Sequence, residues 1–396
     1  GMADKKMYEL GAVRSKFSEL FEYGQEQAKK IGAENVYDFS LGNPSIPAPD
    51  CVKEAIFDMY NTLSSKELHS YTNARGLLEV RQYLADYMNE TYNAGVGADN
   101  FHITVSSSAS LAVLIRALQE DTSDEFIVVA PFYPEYRVFI EPIGSKCVVV
   151  PPDTEHFQLS IEGVEQAITP HTRAIIINTP NNPSGAVYSE ETIKELAALL
   201  TRKSAEIGHP IFLISDEPYR EVIYDNLPIL YISHYYDNTI VTYSYSKSLS
   251  LPGERIGYIL VPPAVDDWQY LMTAILGAAR MYGYVCAPST FQRVIAAVHG
   301  ATGDISEYDK NRHLIYDNLT RMGYDCVYPS GAFYLFVKAP DGDSIQFMEN
   351  AKKLNILIVA ADEFACPGYA RISYCVDSDM IVRSLPAFEK LLAMYK

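Results

Sequence analysis

The sequence predicts an α/β fold: a mostly parallel seven-stranded sheet with helices on both faces, plus a smaller α+β domain. Three observations carry this expectation. Between roughly residues 100 and 262, short β-rich runs alternate with helical patterns, the order that places a parallel sheet between two layers of helices. Several of those runs are nearly continuous Val, Ile and Leu, as strands buried on both faces require. From about residue 290 the pattern changes to a long helix, two strand-like runs and a final amphipathic helix, which points to a second layer structure.

Taken in order, the expected strands are 101–105, 126–130, 146–150, 174–178, 211–215, 239–243 and 257–261. Helices are expected between them, among them 110–120 and 189–205. The second opens with Ser189 as N-cap and Thr192 at the third helical position, with Glu190 and Glu191 in its first turn, where acidic side chains suit the helix dipole. Strand-like runs at 332–337 and 370–374 belong to the small domain. The expected division is an N-terminal arm with part of the small domain (1–48), a large α/β domain (49–290) and a C-terminal small α+β domain (291–396).

Composition narrows the chemistry. The 396 residues are 48% hydrophobic and 21% charged, ordinary for a globular protein, and the longest apolar runs fall well short of a bilayer span. A net charge of −18 opposes binding to a polyanion, so nucleic acid is not an expected partner. The six cysteines form no C-x-x-C pair and are read as free thiols. The eight histidines show no metal-ligand spacing, so no metal is expected. The opening Gly1-Met2-Ala3-Asp4-Lys5-Lys6 lacks the apolar core of a signal peptide, and a cytoplasmic location is expected. No glycine-rich nucleotide-binding fingerprint occurs.

Open parallel sheets bind ligands beyond the carboxyl ends of their strands, and here those positions are rich in polar residues. The strand at 101–105 is followed by Ser106, Ser107 and Ser108, which could cradle a phosphate at a helix start or simply cap that helix. The strand at 174–178 runs into Thr179-Pro180-Asn181-Asn182-Pro183-Ser184-Gly185, a rigid asparagine-bearing loop or a plain turn. The strand at 211–215 leads to Asp216 and Tyr219, a carboxylate and a phenol suited to acid–base work or to a helix cap. The strand at 239–243 leads to Ser244, Lys247 and then Arg255, delivering an amine and a cation toward one crevice.

In this arrangement the chain resembles the class I aminotransferases, the aspartate aminotransferase-like, fold type I group of pyridoxal-phosphate-dependent enzymes. The likeness extends over nearly the whole chain. It comprises Ser40-Leu41-Gly42-Asn43-Pro44, Tyr71 with Arg75-Gly76, the serine loop, Pro131-Phe132-Tyr133-Pro134, the Asn-Pro loop, Asp216 to Tyr219, Ser244 to Arg255, and Ala370-Arg371-Ile372-Ser373.

The resemblance implies pyridoxal 5′-phosphate as cofactor and a reaction that alternates between its pyridoxal and pyridoxamine forms. Lys247 would carry the cofactor aldehyde as a Schiff base and later shuttle the substrate proton. Asp216 would pair with the pyridine nitrogen, Tyr219 and Asn182 would hydrogen-bond the ring's phenolic oxygen, and Tyr133 would stack on the ring. Ser106, Ser107, Ser108, Ser244 and Arg255 would hold the phosphate, helped by Tyr71 from the other subunit of a homodimer. Arg371 would take the substrate carboxylate, with Asn182 and Gly42 completing the pocket. The implied substrates are an L-amino acid, aspartate as first expectation, and a 2-oxo acid.

Two departures stand out. The family's phosphate loop commonly has glycine where this chain has serine, and Arg280, the nearest candidate for a second substrate-binding arginine, lacks a matching local pattern. Three other readings compete with this one. A β-eliminating carbon–sulfur lyase shares the early chemistry. The spacing Ser244-Tyr245-Ser246-Lys247 fits an S-x-x-K acyl-transfer pattern but lacks its companion motifs. A non-catalytic ligand-sensing module would need a DNA-binding region that the first hundred residues do not resemble.

Overall fold

The computed structural model of the chain describes residues 1–13, 16–298, 301 and 304–396. The large sheet contains Phe101–Thr104 (β1), Glu125–Val129 (β2), Lys146–Val150 (β3), Thr172–Asn178 (β4), Phe212–Asp216 (β5), Thr239–Ser244 (β6) and Gly257–Leu260 (β7). Across the sheet they lie in the order β1-β7-β6-β5-β4-β2-β3. β7 runs against the rest, pairing antiparallel with β1 and β6. The expected mostly parallel sheet is therefore present, with strand ends displaced by one or two residues.

Successive strand residues face opposite sides of the sheet, and the core divides accordingly. Val128, Ile176, Ile214 and Ile259 pack with Leu111 and Leu114 of the helix Ser107–Leu118 and with Leu271 and Ile275 of the helix Trp268–Tyr282. Ile127, Ile175, Ile177 and Leu213 face the other way, onto Ile193, Leu196 and Leu200 of the helix Glu190–Ile207. Each such side chain contributes about 1.5–3 kcal/mol of transfer free energy when fully buried. The helix Glu190–Ile207 begins as the sequence indicates: the Ser189 hydroxyl accepts from the Thr192 amide at 3.1 Å. It stops at Gly208, whose φ of +84° suits glycine at a helix C-terminus.

A second sheet of four strands, Cys326–Val327 (β8), Tyr334–Lys338 (β9), Val359–Ala360 (β10) and Tyr369–Ser373 (β11), is antiparallel in the order β10-β11-β9-β8. The N-terminal segment joins this part of the molecule, because Tyr37–Asp38 pairs in parallel with Ile356–Leu357. The helix Ser289–Ala297 places Val294 against Val52, Met59 and Leu68, on the large-sheet side. Among the described residues no helix is long and apolar enough to cross a membrane.

Candidate active site

The carboxyl ends of β4, β5 and β6 open onto a cavity of about 290 Å³ between the two sheets. Its lining includes every site residue expected from the sequence except Tyr71: Gly42, Ser106, Ser107, Ser108, Tyr133, Asn182, Asp216, Tyr219, Ser244, Lys247, Arg255 and Arg371. Tyr71 is 87% exposed and lies outside it. Arg280 is also exposed, in the last turn of Trp268–Tyr282, and does not line the cavity.

Asp216 ends β5 and is buried. Tyr136 Oη donates to its Oδ2 at 2.6 Å and Thr242 Oγ1 to its Oδ1 at 2.9 Å. Burial pushes this carboxyl up to about 6, although the two hydroxyl donors and their hydrogen bonds pull it down. Both donors are neutral, so the carboxylate's charge is uncompensated on the protein side. A cation placed against it would lower its pKa again.

Lys247 lies in a single helical turn after β6. Its Nζ donates to the Gly42 carbonyl and sits 5.8 Å from the Tyr219 ring centre and 5.5 Å from that of Phe333. Burial brings this amine down to about 8, with Arg371 and Arg255 acting in the same direction and Cys375 opposing them. The neutral amine, able to act as nucleophile or base, is then far more populated near physiological pH than for an ordinary lysine.

At the other end of the cavity the helix Ser107–Leu118 points its N-terminus inward, with Ser106 at its N-cap. Free amides at a helix start attract anions. Arg255 Nη2 donates to Ser106 Oγ at 2.8 Å, and the Ser244 hydroxyl accepts from the Ser246 amide at 3.1 Å. Ser106 has φ +101° and ψ 168°, a region almost confined to glycine. Close by, a Cβ on Gly257 would collide with the Tyr243 carbonyl oxygen and stand 3.2 Å from the Ser107 amide nitrogen. The glycine lets β7 approach this loop.

Arg371 projects from β11. Its Nη1 donates to Asn182 Oδ1 at 3.0 Å and its Nη2 to the Ser40 carbonyl at 2.7 Å, while Nε is buried without a partner among the described residues. The guanidinium lies 4.5 Å from the Tyr334 ring centre and 4.9 Å from that of Phe17. The Asn-Pro loop is fixed by Asn178, whose Oδ1 accepts from the Asn182 amide at 2.8 Å and whose Nδ2 donates to the Asp216 carbonyl at 3.0 Å.

Sequence reasoning missed several members of this site: Tyr136, Thr242, Asn178, Tyr334 and Phe17. Tyr136 had a signal, since it follows Tyr133 by three residues around a helix start, a spacing that brings side chains together. Tyr334 had none. It meets the Tyr219 hydroxyl at 2.6 Å only because the two sheets come together.

The Aminotransferase class I and II family model matches residues 33–387. The chain belongs to this family. It is similar to a probable N-acetyl-LL-diaminopimelate aminotransferase of Bacillus subtilis, 31% identical over 90% of this chain and 89% of the relative. The crystal structure of an amino transferase from Eubacterium rectale superposes with a TM-score of 0.99 at 55% identity, covering 100% of both chains. That of aspartate aminotransferase from Thermotoga maritima superposes at 0.87 with 26% identity, covering 99% of this chain and 100% of that one. The protein is thus an aminotransferase on the fold expected from its sequence.

Proposed function

We propose that this aminotransferase works with pyridoxal 5′-phosphate and moves the amino group of an L-amino acid, aspartate as first candidate, to a 2-oxo acid. The observation that carries the reading is the co-location of four groups in one cavity: a buried carboxylate with only neutral donors, a lysine amine lowered to about 8, a helix N-terminus with Arg255 beside it, and a clamped arginine. They match the ring nitrogen, aldehyde and phosphate of the cofactor and the carboxylate of the substrate. When bound, the cofactor supplies an electron sink for charge that develops at the substrate Cα.

In this reading Lys247 holds the cofactor and its Nζ takes the proton from the substrate Cα. Asp216 holds a proton on the ring nitrogen by its negative charge. Tyr219 and Asn182 bind the phenolic oxygen and Tyr133 covers the ring face. Ser106, Ser107, Ser108, Ser244 and Arg255 bind the phosphate dianion, which needs several donors and a fixed cation. Arg371 orients the substrate carboxylate, with Asn182 and Gly42 beside it. The exposed Tyr71 is assigned to the phosphate of a partner subunit in a homodimer. The same reading keeps the division 1–48, 49–290 and 291–396 and a cytoplasmic enzyme. Aspartate as donor is supported by relatives named aspartate aminotransferase.

The test is an assay of amino acids one at a time against a 2-oxo acid acceptor, with pyruvate release measured in parallel. Transfer to the acceptor supports the proposal, and the fastest donor names the substrate. Release of pyruvate and ammonia without transfer would replace it with elimination chemistry.

A further inference from the structure

Asp216 and Tyr219 line the cavity, whereas Glu217 and Arg220 in the same segment do not. Both are buried, at 4% exposure each. Arg220 Nε donates to Glu217 Oε1 at 2.8 Å, and Ser215 Oγ donates to Glu217 Oε2 at 2.7 Å. The Glu217 amide donates to the Thr242 carbonyl at 2.9 Å, tying the segment to β6. Beyond the pair, Arg220 Nη1 donates to Tyr258 Oη on β7 at 3.1 Å, and the guanidinium lies 4.3 Å from the ring centre of Tyr243 on β6.

Tyr243 carries the connection onward. Its hydroxyl is 2.8 Å from Glu221 Oε2 and 2.8 Å from Ser248 Oγ. Tyr243 immediately precedes Ser244, and Ser248 immediately follows Lys247. The cluster therefore joins the segment that bears Asp216 and Tyr219 to the segment that bears Ser244 and Lys247, from the side away from the cavity. Stability alone accounts poorly for such a pair, because exchanging both members of a buried ion pair for neutral residues of similar volume is often neutral or stabilising.

We propose that Glu217 and Arg220 are positioning residues for the transfer reaction: their buried ion pair, braced on Tyr258 and Tyr243, sets where Asp216 and Tyr219 stand relative to Ser244 and Lys247. This rests on the reading of the cavity as the pyridoxal-phosphate site. The pair does not line the cavity and acts through its neighbours in the chain. Displacing reactive groups by about 1 Å from outside a site can reduce turnover on the order of 100-fold.

The experiment compares wild type, the double variant E217Q/R220M and Arg220→Lys for unfolding midpoint, pyridoxal-phosphate dissociation constant, visible spectrum, and kcat and donor KM. The double variant removes both charges of the pair together, and Glu221, whose carboxyl pKa burial raises and Arg220 lowers, keeps the hydrogen bond from the Tyr243 hydroxyl. We expect it to keep a midpoint close to wild type, to bind the cofactor on the order of 10- to 100-fold more weakly, and to lose kcat with a much smaller change in donor KM. Its visible band should shift, since Tyr219 and Asp216 are the groups that would contact the ring. Arg220→Lys, which keeps the charge, should recover part of the loss. The inference is overturned if the double variant binds cofactor and turns over as wild type does, or if its losses simply track a collapse of the unfolding midpoint. Failure of the wild type itself to take up cofactor would instead remove the reading on which the inference rests.

Discussion

Replacing Asp216 by Asn should make the cofactor-free protein more stable while impairing its function. The carboxyl is buried and pushed up to about 6 from an ordinary 3.8, so the folded chain holds its proton where the unfolded chain has released it. A raised carboxyl makes stability fall as pH rises through the window from 3.8 to about 6, and the loss is complete above it. At about 1.4 kcal/mol per pH unit, ionised Asp216 costs the apo-protein about 3 kcal/mol at neutral pH. Asn removes that charge but fits the Tyr136 and Thr242 hydroxyls less well, returning about 1 kcal/mol. The expected gain is therefore about 2 kcal/mol at about pH 8, shrinking toward zero at about pH 4.5, where Asp216 is itself mostly protonated. Denaturant unfolding of both apo-proteins at the two pH values measures it, and the same samples should show Asp216→Asn binding pyridoxal phosphate more weakly. An apo-protein destabilised by the substitution at the higher pH, or a gain unchanged between the two, would refute the reasoning.

The other expectations use the remaining parts of the cavity. Arg371→Lys keeps a positive charge but loses the planar fork and its anchors on Asn182 and Ser40; the donor KM should rise on the order of 10- to 100-fold, the equivalent of one charged hydrogen bond, in steady-state kinetics. Because Lys247 is lowered to about 8, uptake of pyridoxal phosphate by the apo-protein should accelerate as pH rises through about 8 and level off above it; a rate still climbing toward pH 10 would show an ordinary lysine. Ser106→Gly relieves a backbone strain of about 1–3 kcal/mol but gives up the hydroxyl that accepts from Arg255, whereas Ser106→Ala gives up the hydroxyl and keeps the strain. Thermal unfolding should therefore rank the glycine variant above the alanine variant.

What the sequence made legible follows from where the chemistry sits. In a parallel sheet the ligand groups come directly after strands, and strands buried on both faces announce themselves as apolar runs. Asp216, Asn182, Ser106 to Ser108 and Lys247 could be found by looking just past such runs, and the structure brings them to one cavity. The residues that were missed act across the fold. Thr242 lies inside β6 and reaches Asp216 on the neighbouring strand, a relation fixed by register that no local pattern encodes. Tyr334 and Phe17 reach the cavity from the small sheet and the N-terminal helix Lys16–Ile31. The helix start at Ser107, three residues earlier than expected, has a similar cause: the serine loop is itself the first turn. Two-residue strands such as Val359–Ala360 are too short to show alternation and exist only through their pairing with β11.

The most direct test of the account is the visible absorption spectrum of protein loaded with pyridoxal phosphate and passed through a desalting column, for wild type and Lys247→Ala. The account requires wild type to retain a visible band that an effective amino donor bleaches and a 2-oxo acid restores. Lys247→Ala should keep no covalently held cofactor and show no turnover. A Lys247→Ala protein with the same band and undiminished amino transfer would contradict the assignment of that lysine, and with it the reading of the cavity.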